Sequence, residues 1–193
     1  MKSYIRKLTE VDFSTSSWSG GTTTQLFIYP EDSNYGKKDF KVRISSATVE
    51  LEESNFTKLE GIYRFITPLD NSLKLSHNGE TFTKLNPFEI YEFDGSLNTT
   101  SFGKARDFNL MLAHGTKGEL KRFQISKDEE IEILTDIGLN ILFSYNNVFK
   151  IRVDEEEIKQ SPNELLVVKS DTAKQIKIYS NKSANILLSR IFI

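Results

Sequence analysis

The chain has no cysteine and two histidines among 193 residues. Without cysteine there is no disulfide framework, no thiolate nucleophile, no cysteine-based zinc site and no iron–sulfur cluster. With two imidazoles, metal or general-base chemistry has few candidates. There is no basic excess: 25 Lys+Arg against 27 Asp+Glu give a formal charge of -2. That balance argues against nucleic acid as a partner. No run reaches the ~18 apolar residues a membrane helix requires, and no low-complexity linker divides the chain. The opening Met1–Lys7 has no apolar run after its basic residues, so it does not read as a signal peptide. The expected location is the cytoplasm.

What is present is period-two alternation of Val, Ile, Phe, Tyr and Thr, punctuated by Gly, Asn, Asp and Ser. Hydrophobic residues make up 38%, with 14 Phe and 7 Tyr, enough for a packed core. The length allows one domain, or two small lobes. Helix signals are poor. The pattern predicts an all-β fold, a sandwich or barrel of many short strands.

Three hairpins are predicted. The clearest is Leu73–His77, Asn78-Gly79, Glu80–Leu85, because Asn-Gly tolerates φ > 0 at both turn positions. Its pairing places His77 opposite Glu80 at the surface. The others are Ile141–Tyr145 with Val148–Val153, and Gln175–Tyr179 with Ala184–Ile193. Ile131 and Ile133 are spaced for a strand. Asp154–Lys159 reads as a charged connection between strands. Residues 1–115 hold every unusual cluster; residues 116–193 show plain alternation.

Four clusters could carry chemistry. In Trp18-Ser19-Gly20-Gly21-Thr22, the glycines permit close backbone approach, Thr22 adds a hydroxyl and Trp18 a flat wall. The plain alternative is a turn into a strand. In Arg43-Ile44-Ser45-Ser46-Ala47, Arg43, Ser45 and Ala47 share one strand face. An Arg beside small residues suits a carboxylate clamp, or equally a solvated outer face. Arg64 begins an apolar strand; if buried it needs a ligand or a structural acid. Asp107, Asn109 and Met111 share a face opposite Phe108, Leu110 and Leu112. Asp107 could also be the structural partner of either Arg. Asp107 with His114 is the one candidate acid–base pair, though alternation sends them to opposite faces.

Taken together, Trp18-x-Gly-Gly-x-Thr, Arg43-Ile44-Ser45-x-Ala47, Phe56-Thr57 before Gly61-x-x-Arg64, Phe93-x-Gly95 and Gly103-x-x-x-Asp107-Phe108-Asn109-x-Met111 resemble the HutD/Ves family. The resemblance implies a cupin-like jelly roll, with two tandem β-barrels packed as one bicupin unit over residues 1–193. The motif-bearing part would be about 1–115 and the second β part about 116–193. HutD members are linked to histidine utilisation and to sensing an intermediate such as formylglutamate. This sequence departs from the family pattern at Ser96, where many members have Asp, and at Leu112-Ala113-His114.

The leading functional expectation is a metal-free small-molecule binder, a regulator or sensor of a small carboxylate metabolite, with no cofactor. Its ligand-binding residues would be Trp18, Thr22, Arg43, Ser45, Arg64, Asp107 and Asn109. The guanidinium groups would hold the carboxylate, Asn109 would read a carbonyl or amide, and Thr22 and Ser45 would add hydroxyl contacts. Catalytic cupins usually hold a metal with clustered histidines, which this chain lacks. The alternatives are a metal-independent isomerase or hydrolase, and a structural or interaction protein. Cupin-like folds often pair through exposed strand edges, which leaves a homodimer possible.

Overall fold

The computed structural model describes residues 3–193, Thr81 by its backbone only. Met1 and Lys2, which open the segment read for a leader, lie outside the described residues. The strands are β1 (Tyr4–Leu8), β2 (Ser14–Trp18), β3 (Gly21–Tyr29), β4 (Val42–Val49), β5 (Glu53–Asn55), β6 (Ile62–Pro68), β7 (Leu73–His77), β8 (Thr81–Leu85), β9 (Tyr91–Asp94), β10 (Thr99–Phe102) and β11 (Arg106–Ala113). They continue as β12 (Lys117–Ile125), β13 (Glu129–Leu134), β14 (Gly138–Ser144), β15 (Phe149–Val153), β16 (Glu156–Gln160), β17 (Leu165–Ser170), β18 (Gln175–Ser180) and β19 (Ala184–Phe192). Two short 3-10 turns, Glu10–Asp12 and Tyr35–Lys37, are the only helical elements among the described residues. None of these is long and apolar enough to cross a membrane.

The chain divides into two compact units. One is Phe13–Thr116; the other combines the residues up to Asp12 with Lys117–Ile193. The first strand therefore belongs with the C-terminal half, where β1 pairs with β17. Each unit is two antiparallel sheets forming a sandwich rather than a closed barrel. The first unit has a six-stranded sheet, β2-β3-β4-β11-β6-β9, and a four-stranded sheet, β5-β10-β7-β8. The second has β1-β17-β14-β19-β12 and β13-β18-β15-β16.

The Asn78-Gly79 hairpin forms as the turn chemistry predicts, with φ of 54° and 77° at the two residues. The other two predicted hairpins do not form. β14 pairs with β17 and β19, whereas β15 pairs with β16 and β18. β18 and β19 likewise lie in different sheets. Both connections cross from sheet to sheet, which Asn and Ser turns permit as readily as a hairpin. The hairpin that does form joins β15 to β16 through Asp154 (φ 51°), so much of the charged Asp154–Lys159 segment is strand. Ile131 and Ile133 lie in β13, as their spacing predicts.

The two interiors differ. The core of the second unit is mainly apolar, with Ile125, Leu142, Phe149, Ile151, Leu166, Ile178 and Ile186 among its buried side chains and Ser144 and Gln160 as buried polar ones. In the first unit, Ile66 and Phe93 of the larger sheet meet Leu73, Leu75 and Leu85 of the smaller one. Buried arginines stand on the same inner face.

Candidate functional site

The register of β4, β11 and β6 assembles the site. Met111 lies opposite both Arg43 and Arg64, and Asn109 lies between Ser45 and Ile66. Asp107 is opposite Ala47, and Arg64 is opposite Phe93. Cross-strand partners share a face. Arg43, Ser45, Ala47, Arg64, Asp107, Asn109 and Met111 therefore all stand on the side that carries Ile66 and Phe93, inside the sandwich. All seven are buried.

A chain of hydrogen bonds links three of them. Arg64 Nη2 donates to Asn109 Oδ1 at 3.0 Å, and Asn109 Nδ2 donates to Asp107 Oδ1 at 2.5 Å. The same Asp107 oxygen accepts the Ala47 backbone N–H at 3.3 Å. Arg43 is held separately. Its Nε donates to Gln25 Oε1 at 2.9 Å, and its Nη1 donates to Ser45 Oγ at 3.1 Å and approaches Met111 Sδ at 3.9 Å. Aromatic faces complete both settings. The Arg43 guanidinium carbon is 4.1 Å from the centre of Tyr35, and that of Arg64 is 4.8 Å from Phe56 and 5.1 Å from Phe93.

The electrostatics are unbalanced. Two guanidinium groups share the face with one carboxylate, and neither forms an ion pair among the described residues. Burial brings Arg64 down to about 10, opposed by the charge of Asp107. Burial pushes Asp107 up to about 7, opposed by the Ala47 N–H, the charge of Arg64 and the Asn109 hydrogen bond. Burial also lowers Arg43 from the ordinary arginine value. The buried Arg64 Nε–H has no hydrogen-bond acceptor. An unmatched buried donor on a cation is costly.

The predicted residues fare unequally. Arg43, Ser45, Arg64, Asp107 and Asn109 come together. Thr22 does not join them: it pairs with Thr48, whereas Thr23 and Gln25 pair with Ala47 and Ser45. One residue of register puts Thr22 on the other face. Trp18 pairs with Gly21 at the end of β2 and is 36% exposed. Its ring lies over Gly20, where a Cβ would sit 2.0 Å from Cζ3. Each end of the Asn109 amide makes one hydrogen bond, to Arg64 and to Asp107.

Sequence reasoning missed Gln25, Tyr35 and the role of Phe56 and Phe93. The ladder shifts between Gln25 and Phe27. Gln25 forms the last regular pair before that shift, opposite Ser45, and only the register between the strands brings it to Arg43. His77 also differs from expectation. It pairs with Thr81, not Glu80, and is half-buried. Its ring nitrogens bond Thr99 Oγ1 at 2.9 Å and Tyr91 Oη at 3.1 Å, and it packs 5.0 Å from Phe93. Burial lowers its pKa. Asp107 and His114 form no acid–base pair. Seven residues of extended chain separate them by on the order of 20 Å, with Asp107 buried and His114 exposed.

The clustered histidines of catalytic cupins have no counterpart. Among the described residues no three His, Asp or Glu side chains gather. A face dominated by two guanidinium cations is a poor donor set for a metal ion.

Comparisons with known proteins agree with this architecture. A conserved protein of unknown function from Pseudomonas aeruginosa PAO1 superposes with a TM-score of 0.88 at 20% identity, covering 98% of this chain and 100% of that one. HutD from Pseudomonas fluorescens SBW25, solved in a formate condition, gives 0.74 at 20% identity, with the same coverage. A cupin 2 conserved barrel domain protein from Leptotrichia buccalis gives 0.58 at 10% identity, covering 92% and 91%. A search of curated protein sequences gives no match. The HutD family model matches residues 10–187, nearly the whole length. The chain belongs to the HutD family.

Proposed function

We propose that the inner face of the six-stranded sheet binds a small carboxylate-bearing metabolite, and that the protein is a metal-free sensor or regulator of it. The observation that carries this reading is the charge imbalance: two buried guanidinium groups against one carboxylate, with the Arg64 Nε–H lacking an acceptor. An arginine presents planar paired donors that match a carboxylate edge. Arg64 and Arg43 bind the ligand anion; Ser45 and Gln25 hold Arg43 in place. Asn109 holds Arg64 at a fixed distance from Asp107. The family name supports a place in histidine utilisation, and formylglutamate is the ligand we put forward. The reading keeps the cytoplasm as the location and small molecules as the partners.

A thermal-shift screen with formate, glutamate, formylglutamate and imidazole acids tests it. Ligand at ~100 times its Kd adds about 2.7 kcal/mol of stability. Arg64→Ala and Arg43→Ala should each abolish the shift. A shift that survives in both variants overturns the clamp.

A further inference from the structure

The second unit has an apolar core, but its surface carries a cleft unrelated to the arginine face. The cleft holds about 470 Å³ and is lined by Asn146, Asn147, Val148, Lys150, Tyr179, Ser180, Asn181 and Lys182. Its rim is formed by the two sheet-to-sheet crossovers, β14 to β15 and β18 to β19. Its floor is the outer face of β15 and β18, where Lys150 lies opposite Tyr179. Alternation sends Phe149, Ile151, Ile176 and Ile178 inward, which leaves Lys150 and Tyr179 outward.

The charged side chains that line this cleft have one sign, whereas the carboxylates of Asp128 and Glu130 adjoin Tyr179 from β13 and the turn before it. Lys150 and Lys182 are its only ionisable cations, and no carboxylate lines it. Lys150 also lies directly opposite Lys159 on β16, a like-charge pairing that destabilises a sheet. Among the described residues, Lys150, Lys159 and Lys182 make no ion pair, although the chain carries a net negative charge. The Lys150 ammonium sits 5.7 Å from the Tyr179 ring centre. Tyr179 is itself anchored, since its hydroxyl donates to Asp128 Oδ1 at 3.1 Å on the side away from Lys150. Three carboxamides, from Asn146, Asn147 and Asn181, also line the cleft, that of Asn147 with its Nδ2 donating to the Tyr145 carbonyl.

We propose that this cleft binds a phosphate group carried on a small organic ester. Ammonium groups are compact point charges suited to phosphate, whereas the planar carboxylate fits the arginine face. A cavity of this size lies within the range of small-molecule sites and exceeds the needs of a lone phosphate ion. The ester body packs on the Tyr179 ring, and the carboxamides bond its hydroxyls. The site is independent of the arginine face, so the two proposals fail separately.

The test is a titration of the ¹⁵N-labelled full chain with ribose 5-phosphate, inorganic phosphate and sodium chloride at matched ionic strength. Saturable amide shifts confined to residues 146–150 and 179–182 are expected with ribose 5-phosphate, weaker by at least tenfold with inorganic phosphate. The double substitution Lys150→Ala, Lys182→Ala, at exposed positions, should weaken binding at least tenfold. Equal affinity for the ester and for free phosphate overturns the ester assignment. Shifts that match sodium chloride, or survive the double substitution, overturn the site.

Discussion

Arg64 reaches Asn109 rather than an acid: its Nη2 donates to Asn109 Oδ1 at 3.0 Å, and the same amide passes a hydrogen bond on to Asp107. The carboxamide thus stands between the buried guanidinium and the buried carboxylate. It satisfies one donor of the first and one acceptor of the second without forming an ion pair.

Asn109→Ala should therefore strand Arg64 Nη2 and leave Asp107 Oδ1 with the Ala47 N–H alone. Each unsatisfied buried group costs about 1–3 kcal/mol, so the variant should lose about 2 kcal/mol or more. Urea denaturation reads the loss. A change within about 0.5 kcal/mol would show that the bridge carries no stability.

Asp107 should make stability depend on pH. Its folded-state pKa is pushed up to about 7 from the ordinary carboxylate value of 3.8, first by burial. In that window the folded state holds a proton that the unfolded chain has released. The Asp107 contribution is thus fully present below about pH 4 and declines as pH rises toward 7, at up to roughly 1.4 kcal/mol per pH unit. Asp107→Asn cannot titrate and should remove this slope. Parallel stability profiles for the two proteins between pH 4 and 7 would contradict the assignment.

The same ionisation should govern ligand affinity. With Asp107 protonated, the arginine face carries two positive charges; with it ionised, the net charge falls to one. Carboxylate affinity should decline several-fold as pH rises through 7, and Asp107→Asn should flatten the decline. Isothermal titration at pH 6 and pH 8 distinguishes the two proteins. Equal pH dependence in both would place the titrating group elsewhere.

Gly21 should tolerate no side chain. Its φ is +146°, and a Cβ would fall 1.9 Å from the Thr48 carbonyl oxygen. Gly21→Ala must then displace β3 from β4, at a cost on the order of 1–3 kcal/mol of strain or more. Since β3 carries Gln25, the partner of Arg43, acid binding should weaken together with stability. A variant that melts like the parent would mean the strands separate freely there.

Strand alternation made much of the site legible in the sequence. Period two puts Arg43 with Ser45 and Asp107 with Asn109, and the structure keeps both pairs on one face. The partners of the arginines were not legible. Tyr35 lies in a short turn, and Gln25 meets Arg43 only through the register of β3 on β4. Thr22 was lost for the converse reason, because register across β3 and β4 decides its face and the local sequence does not. The same limit separates the Asn78-Gly79 hairpin from the two crossovers. A type I′ turn is a local property, whereas the sheet a strand joins next depends on distant partners. The first strand shows this most simply: nothing in Tyr4–Leu8 announces that it pairs with Leu165–Ser170.

The central claim is that the buried guanidinium pair takes a carboxylate. The most direct test is a crystal structure of the protein soaked with the small acid that stabilises it most in the thermal-shift screen. The account predicts a carboxylate within hydrogen-bonding distance of Arg64 Nε and the Arg43 guanidinium, with Asn109 still bridging Arg64 to Asp107. An acid bound elsewhere at the affinity measured in solution, with the Arg64 Nε–H still lacking an acceptor, would contradict it.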